Sequence, residues 1–209
     1  MTWGIVVGME AEARIARRSG LRVALPGGAA RLLADGAGGL VSFGIAGGLT
    51  PGLASGTLVI ASEVVLEDGG RLPAGLPPGY AVPEGALRAP VAGAVAIVPG
   101  AAAKRDLHRR TGAVAVDLES GGMARLCADA GVPFAVIRAI ADPAERELPP
   151  AALVGLGPGG RVALGAVLAS VAARPGQIPA LVRVALDTRR ALRALAGVDL
   201  CYFAQQFEI

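Results

Sequence analysis

The stretch GVPFAVIRAIADP, residues 131–143, decides the fold. A helical pattern from about Ser120 to Ala130 ends at Gly131, and Pro133 opens an apolar run, Phe134–Ile140, that leads to Asp142-Pro143. Helix, glycine stop and apolar run together read as a step from a helix into a buried strand. Outward from it the same alternation recurs. Thr2–Val7 reads as a buried strand and Glu10–Arg18 as a helix, with acids first and arginines last, as the helix dipole favours. Gly39–Phe43 reads as a strand ending in the glycine-rich turn Gly44-Ile45-Ala46-Gly47-Gly48, and Thr57–Val65 as another strand. From Glu67 to Pro90 proline and glycine are dense and no periodicity survives, which predicts a long loop. Val91–Val98 as strand, Ala101–Thr111 as helix and Val114–Val116 as short strand complete the middle, and helices over about 160–173 and 178–196 close the chain. No internal repeat is present. Strands alternating with helices predict an α/β layered fold with a central mixed sheet and helices on both sides.

Composition narrows the class. The 209 residues suit one domain, 1–209, and 53% apolar residues with only 3% aromatics exclude disorder. A net charge of +3 is mild, and no basic stripe is interleaved with aromatics, which argues against nucleic acid as a partner. Cys127 and Cys201 lie far apart and show no disulfide or metal spacing. The N-terminus lacks a basic leader pattern, and the most apolar stretch, 89–103, is broken by prolines and glycines and falls short of the roughly 18 residues of a span. These features lead to the expectation of a soluble cytoplasmic protein.

Three strand ends carry acids: Glu10 and Glu12 after the first, Asp117 and Glu119 after the short central one, Asp142 after the last. Helix capping explains each alone. Repeated at one kind of position, carboxylates near a sheet edge point to a site, because burying them without purpose is costly.

The motifs Gly8-Met9-Glu10-Ala11-Glu12, Gly44-Ile45-Ala46-Gly47-Gly48-Leu49, Val116-Asp117-Leu118-Glu119-Ser120 and Arg138-Ala139-Ile140-Ala141-Asp142 occur in this order. In that order they resemble the nucleoside phosphorylase/nucleosidase superfamily, most closely its methylthioadenosine/adenosylhomocysteine nucleosidase branch. The resemblance runs over residues 1 to 145. The C-terminal part, with Ala141-Asp142-Pro143-Ala144, Leu148–Val154 and Arg174–Leu181, is similar to a narrower group, the hopanoid-associated phosphorylases. The resemblance implies a three-layer αβα phosphorylase/hydrolase-like fold that cleaves a purine N-glycosidic bond, with no metal or organic cofactor. By position, Asp142 matches the acid that recognises the purine and helps protonate its N7. Glu12 matches the carboxylate that positions or deprotonates the attacking water, and Glu119 the one that holds the ribose hydroxyls. Leu118, Phe43 and the segment Ile45, Ala46 and Gly47 would line the substrate pocket. The chemistry suits such acids: the transition state is oxocarbenium-like, and purine leaves readily only when protonated.

Departures matter too. Phosphorolytic relatives hold phosphate with arginines where this chain has Glu12 and Ser42, and a serine common in the glycine turn is Ile45. The pattern looks hydrolytic, although Arg14, Arg71 or Lys104 could reach an anion, phosphate then being a co-substrate. The family's base-stacking aromatic has no counterpart in Val98–Ala102, which leaves Phe43, Tyr80 or an apolar residue for that task. The segment Arg31–Gly39 is short, so the helix expected there is curtailed.

His108 lies in the basic helix segment KRDLHRR and reads as a surface residue. The glycine turn lacks dinucleotide-binding GxGxxG spacing. The last helix carries leucines and valines together with four arginines, and it suits packing on the body or a partner copy, or peripheral contact with a membrane surface. The expected substrate is an adenosyl compound, adenosylhopane first and methylthioadenosine or adenosylhomocysteine second, in a homo-oligomer. A non-catalytic nucleoside-binding protein is the rival of another class.

Overall fold

The structure is a computed structural model that describes residues 2–153 and 164–205. β1 (Trp3–Val6), α1 (Glu10–Ala16), β2 (Arg22–Ala24), α2 (Ala29–Ala34) and β3 (Gly39–Gly48) form the first half with β4 (Leu58–Val65) and β5 (Arg71–Pro73). β6 (Leu87–Gly93), α3 (Ala101–Thr111), β7 (Ala115–Asp117), α4 (Ser120–Ala130) and β8 (Phe134–Asp142) follow, and then α5 (Pro150–Leu153), α6 (Leu164–Ala173) and α7 (Ile178–Ala196). The start of the helix expected from about residue 160, Val154 of the downstream motif and the end of the C-terminal segment, 206–209, lie outside the described residues.

All eight strands belong to one mixed sheet centred on β3 and β8, which run parallel from Leu40 opposite Phe134 to Gly47 opposite Asp142. Along its other edge β3 pairs first with β1 in parallel and then, at Gly47 and Gly48, with β7 antiparallel. β7 pairs with β6, β6 with β4, and β4 returns to β8, so these strands close a ring from which β1–β2 and β5 splay outward. The closure brings the ends of β7 and β8 to either side of Gly47.

Strand periodicity divides the core. Leu40 and Ala46 of β3 with Phe134, Val136 and Ile140 of β8 pack toward Leu32 of α2 and Met123, Ala124 and Cys127 of α4. Val41 and Phe43 with Ala135, Ile137 and Ala139 pack toward Ala13 and Ala16 of α1 and Ala191 and Leu195 of α7. β8 is therefore covered on both faces, which is why its sequence is nearly continuous in apolar residues. Alanines on the packing helices let them approach the sheet closely, and each large aliphatic buried this way contributes about 1.5–3 kcal/mol. At the C-terminal end Phe203 docks edge-on against Trp3, ring centroids 5.1 Å apart, and beside Tyr80.

Three expectations need correction. The glycine-rich segment is not a turn: β3 continues through it to Gly48, and none of Gly44, Gly47 and Gly48 has a positive φ. Its glycines serve close approach, since a Cβ on Gly44 would lie 2.6 Å from both Arg138 Nη1 and Glu12 Oε1. The long loop contains β5 and the first part of β6. Pro90 misled the reading, because it sits inside β6 opposite the register irregularity between Ala61 and Val64, where no ladder hydrogen bond is required of it. In consequence β6 stops at Gly93 and Val95–Val98 is not strand. The curtailed helix is present as the six-residue α2.

Candidate active site

Glu12 stands at the third position of α1 and is 1% exposed. Its Oε2 accepts the Gly8 and Met9 N–H groups at 2.8 and 2.9 Å and so caps the helix. Its Oε1 accepts the Ile45 N–H at 2.8 Å, tying α1 to β3. Burial pushes the Glu12 carboxyl above the usual range, against the pull of the Ile45 N–H, the Arg138 guanidinium and the Met9 N–H.

Asp117 ends β7 and performs the other cap. Its Oδ1 accepts the Glu119 and Ser120 N–H groups at 3.0 and 2.7 Å, and its Oδ2 takes the Ser120 hydroxyl at 2.5 Å and Arg138 Nε at 2.7 Å. With Asp117 capping α4, the Glu119 carboxylate is left for other work, 22% exposed. Arg138 projects from the middle of β8 and is fully buried. Its Nη2 donates to Ser42 Oγ at 2.5 Å and to Ser120 Oγ at 3.2 Å, and lies 3.6 Å from Glu119 Oε2. Burial opposes the guanidinium charge, but Asp117, Glu119 and Glu12 outweigh it and hold its pKa above the ordinary value. Burial, assisted by Asp117, also raises Glu119 against Arg138. Glu12 and Glu119 meet at Gly8, where a Cβ would lie 3.0 Å from Glu119 Oε1 and 3.4 Å from Glu12 Oε2. Three carboxyl groups thus face one guanidinium, an excess of acids over cations at this end of the sheet.

Across Gly47 lies the second part. Asp142 Oδ2 accepts the Lys104 ammonium at 2.5 Å, and Lys104 is wholly buried. Asp142 Oδ1 is buried and has no hydrogen-bond partner among the described residues. Burial raises this carboxyl, and Lys104 and Arg146 hold the rise in check. Among the described residues no group of three or more His, Cys, Asp or Glu is arranged to hold a metal ion.

The structure brings Glu12, Glu119, Ile45, Ala46, Gly47 and Asp142 to one end of the ring. Leu118 stands beside them, 42% exposed. Phe43 is an exception: strand alternation turns it to the face opposite Ser42 and Arg138, where it is fully buried against the α1 and α7 side, and the Ile45 side chain packs on that face too, so Ile45 meets the acids through its N–H. Tyr80 packs on the same far side against Tyr202 and Phe203. Neither ring has a free face for a base. The cations expected to reach an anion are spent or distant: Lys104 on Asp142, Arg71 on Glu63 at 2.5 Å, and Arg14 exposed on α1. His108 is half-buried with Nδ1 2.8 Å from Ala113 O, which places it at the end of α3 and away from the acids. Two open surface hollows, about 410 and 470 Å³, lie on the flanks of α3 and are lined by none of Glu12, Glu119 or Asp142.

Sequence reasoning named Ser42 only as the place of a missing arginine and Lys104 only as a cation that could reach an anion, and it gave no role to Arg138, to Ser120 or to a Lys104–Asp142 pair. Arg138 had a usable signal, a charge inside an otherwise apolar, doubly buried strand, which is tolerated only when paired. Lys104 had none, being one cation among several in a basic helix.

The site is thus a group of buried acids gathered around one arginine at the strand ends of a closed mixed sheet. The profile of the phosphorylase superfamily matches residues 28–155, and the chain belongs to that family. No curated protein matches it in sequence. In structure it is similar to a 5′-methylthioadenosine/S-adenosylhomocysteine nucleosidase from S. pneumoniae solved with a transition-state inhibitor, at TM-score 0.61 and 15% identity over 94% of this chain and 97% of that one. An S-adenosylhomocysteine nucleosidase from Streptococcus pyogenes gives TM-score 0.60 at 17% identity, over 100% and 98%. Futalosine hydrolase from Helicobacter pylori gives 0.57 at 18% identity, over 68% and 88%. These likenesses establish the fold.

Proposed function

We propose that the protein hydrolyses the N-glycosidic bond between adenine and the ribose of an adenosyl compound. The observation that carries this reading is the pairing, across Gly47, of this excess of acids with an acid that keeps one buried oxygen free. The acid-rich end suits the sugar, because an oxocarbenium-like centre gains from nearby carboxylates. Glu119 would hold the ribose hydroxyls. Glu12 Oε1 carries one N–H and retains a lone pair, so it would orient the attacking water and receive its proton. Asp142 Oδ1 would meet N7 of the base, and its raised pKa keeps a proton available as the C1′–N9 bond gives its electrons to the purine.

Water is favoured over phosphate as acceptor. A phosphate near −2 placed among Glu12, Asp117 and Glu119 would be repelled, and Arg138, the cation that the described residues place there, is already enclosed by those acids.

The first choice of substrate is adenosylhopane, an adenosyl group on a large apolar body. Two exposed apolar residues favour it: Leu118, one residue beyond β7, and Val95, 82% exposed, two beyond the end of the neighbouring β6. Methylthioadenosine and adenosylhomocysteine are the second choice, supported by the nucleosidase neighbours. α7 presents exposed Ile178, Val182 and Leu186 on the side opposite its buried Asp187, Ala191 and Leu195, with Arg189 and Arg193 continuing that side. Such a face suits contact with a membrane surface or a second copy of the chain. Among the described residues no helix is long and apolar enough to cross a membrane.

The test is adenine release from adenosylhopane and from methylthioadenosine, with and without phosphate, in wild type and Asp142→Asn. Release that needs no phosphate and falls about 10²–10⁴-fold in Asp142→Asn is the expected result. An absolute phosphate requirement overturns the choice of acceptor. No release from either substrate, with nucleoside binding retained, would leave a non-catalytic binding protein.

A further inference from the structure

Lys104 is the one completely buried lysine or arginine of α3, and its surroundings account for every proton it has. Besides Asp142 Oδ2 its ammonium reaches the carbonyl oxygens of Pro143 at 2.9 Å, Arg146 at 3.2 Å and Asp142 itself at 3.4 Å. Those carbonyls belong to the turn that follows β8, which is further anchored by Glu145 accepting the Gly52 N–H and by Arg146 donating to Asp187 of α7. The charged groups set around Asp142 are therefore Lys104 from α3, Arg146 from the turn and Asp187 from α7, while β3 offers only Gly47. Of the two carboxylate oxygens, Oδ2 is gripped and Oδ1 is buried and, among the described residues, unpartnered.

We propose that Lys104 is a positioning residue for Asp142: its ammonium fixes one carboxylate oxygen and the turn behind it, so that Oδ1 alone is presented to the leaving base. The assignment rests on the reading of Asp142 as the acid that meets the purine. In the step it serves, the C1′–N9 bond breaks with its electron pair going to the base. Oδ1 delivers a proton to N7, water forms the new bond to C1′, and the water proton passes to Glu12. Lys104 touches none of the reacting atoms. It acts by holding the carboxyl in one orientation, and its charge limits how far burial raises the pKa of Asp142.

The decisive experiment compares Lys104→Met and Lys104→Gln, each alone and combined with Asp142→Asn, using methylthioadenosine as probe over pH 5–9. In Lys104→Met, kcat falls about 10–100-fold with little change in KM, as loss of orientation predicts. The alkaline limb of its pH profile moves upward, because an acid relieved of a neighbouring cation keeps its proton to higher pH. Adding Lys104→Met to Asp142→Asn costs nothing further, since the lysine acts through the carboxyl it no longer meets. Lys104→Gln, which keeps N–H donors without charge, recovers part of kcat but retains the upward shift. Should Lys104→Met not fold, Lys104→Gln carries the same readouts. Losses that multiply with Asp142→Asn, or an alkaline limb that stays put, overturn the assignment while leaving the proposed function intact. An Asp142→Asn enzyme as fast as wild type overturns the functional reading and this assignment with it.

Discussion

Two buried cations organise the site in opposite ways. Arg138 faces Asp117, Glu119 and Glu12 together with the hydroxyls of Ser42 and Ser120, so acids outnumber cations around it. Lys104 faces one carboxylate and three carbonyls, so its surroundings are neutral. The planar fork of arginine suits the first task, because it can bridge several acceptors in fixed directions, and the compact ammonium suits the second. The contrast gives the site a direction. On the proposed reading, positive charge developing on a sugar is favoured at the arginine end, and the leaving base is met at the lysine end by Asp142 Oδ1.

The sharpest way to break this contrast is at Glu12. On the proposed reading Glu12→Gln removes the proton acceptor, and its amide N–H must also face either the Ile45 N–H or those of Gly8 and Met9, so turnover of the probe nucleoside is expected to fall about 10²–10⁴-fold, measured as adenine release. Next comes Arg138→Met, which leaves Asp117 buried without its ion pair. Chemical denaturation should register a loss of about 3–5 kcal/mol, and a loss below 1 kcal/mol would show that the acids do not depend on the guanidinium. Gly44→Ala inserts a Cβ 2.6 Å from both Arg138 and Glu12, against side chains already fixed by hydrogen bonds. Overpacking of this kind costs about 1–3 kcal/mol, and Gly122→Ala on the exposed side of α4, where a Cβ meets nothing within 4 Å among the described residues, serves as the control.

The smallest effect concerns pH. Glu12, Glu119 and Asp142 all have folded pKa values above their ordinary ones of 4.5, 4.5 and 3.8. The native state then binds more protons than the unfolded chain in the interval between the two values, so the contribution of these groups to stability is greatest below the ordinary values and is lost as pH rises through the folded ones. The thermal midpoint should therefore decline from about pH 4.5 toward neutrality, and Glu119→Gln should flatten the decline. A midpoint that climbs over that interval would show that the acids are better paired than their burial implies.

Much of this was legible in the residues. The Gly131 stop and the run to Ile140 located β8, and the strand ends marked Glu10 with Glu12, Asp117 with Glu119, and Asp142, because glycine caps, apolar runs and strand-end carboxylates are local signals; the choice of Glu12, Glu119 and Asp142 among them came from the resemblance. The glycine segment was misread because glycine marks both tight turns and close approach, and only the positions of Arg138 and Glu12 distinguish the two at Gly44. Phe43 was assigned to the pocket because an aromatic beside a glycine-rich motif carries no sign of the face it will occupy.

By itself, then, the sequence determined the alternation of strands and helices, the pairing of helix caps with acids and the family to which the chain belongs. These follow from periodicity, turn chemistry and motif order along the chain. Tertiary structure alone decided that β3, β7, β6, β4 and β8 close into a ring, that Arg138 is surrounded by acids from α1, β7 and the start of α4, and that Lys104 reaches Asp142 across 38 residues of sequence. The reason is physical: whether a charge is buried, paired or free depends on atoms contributed by distant segments, and no local pattern records which segments will meet.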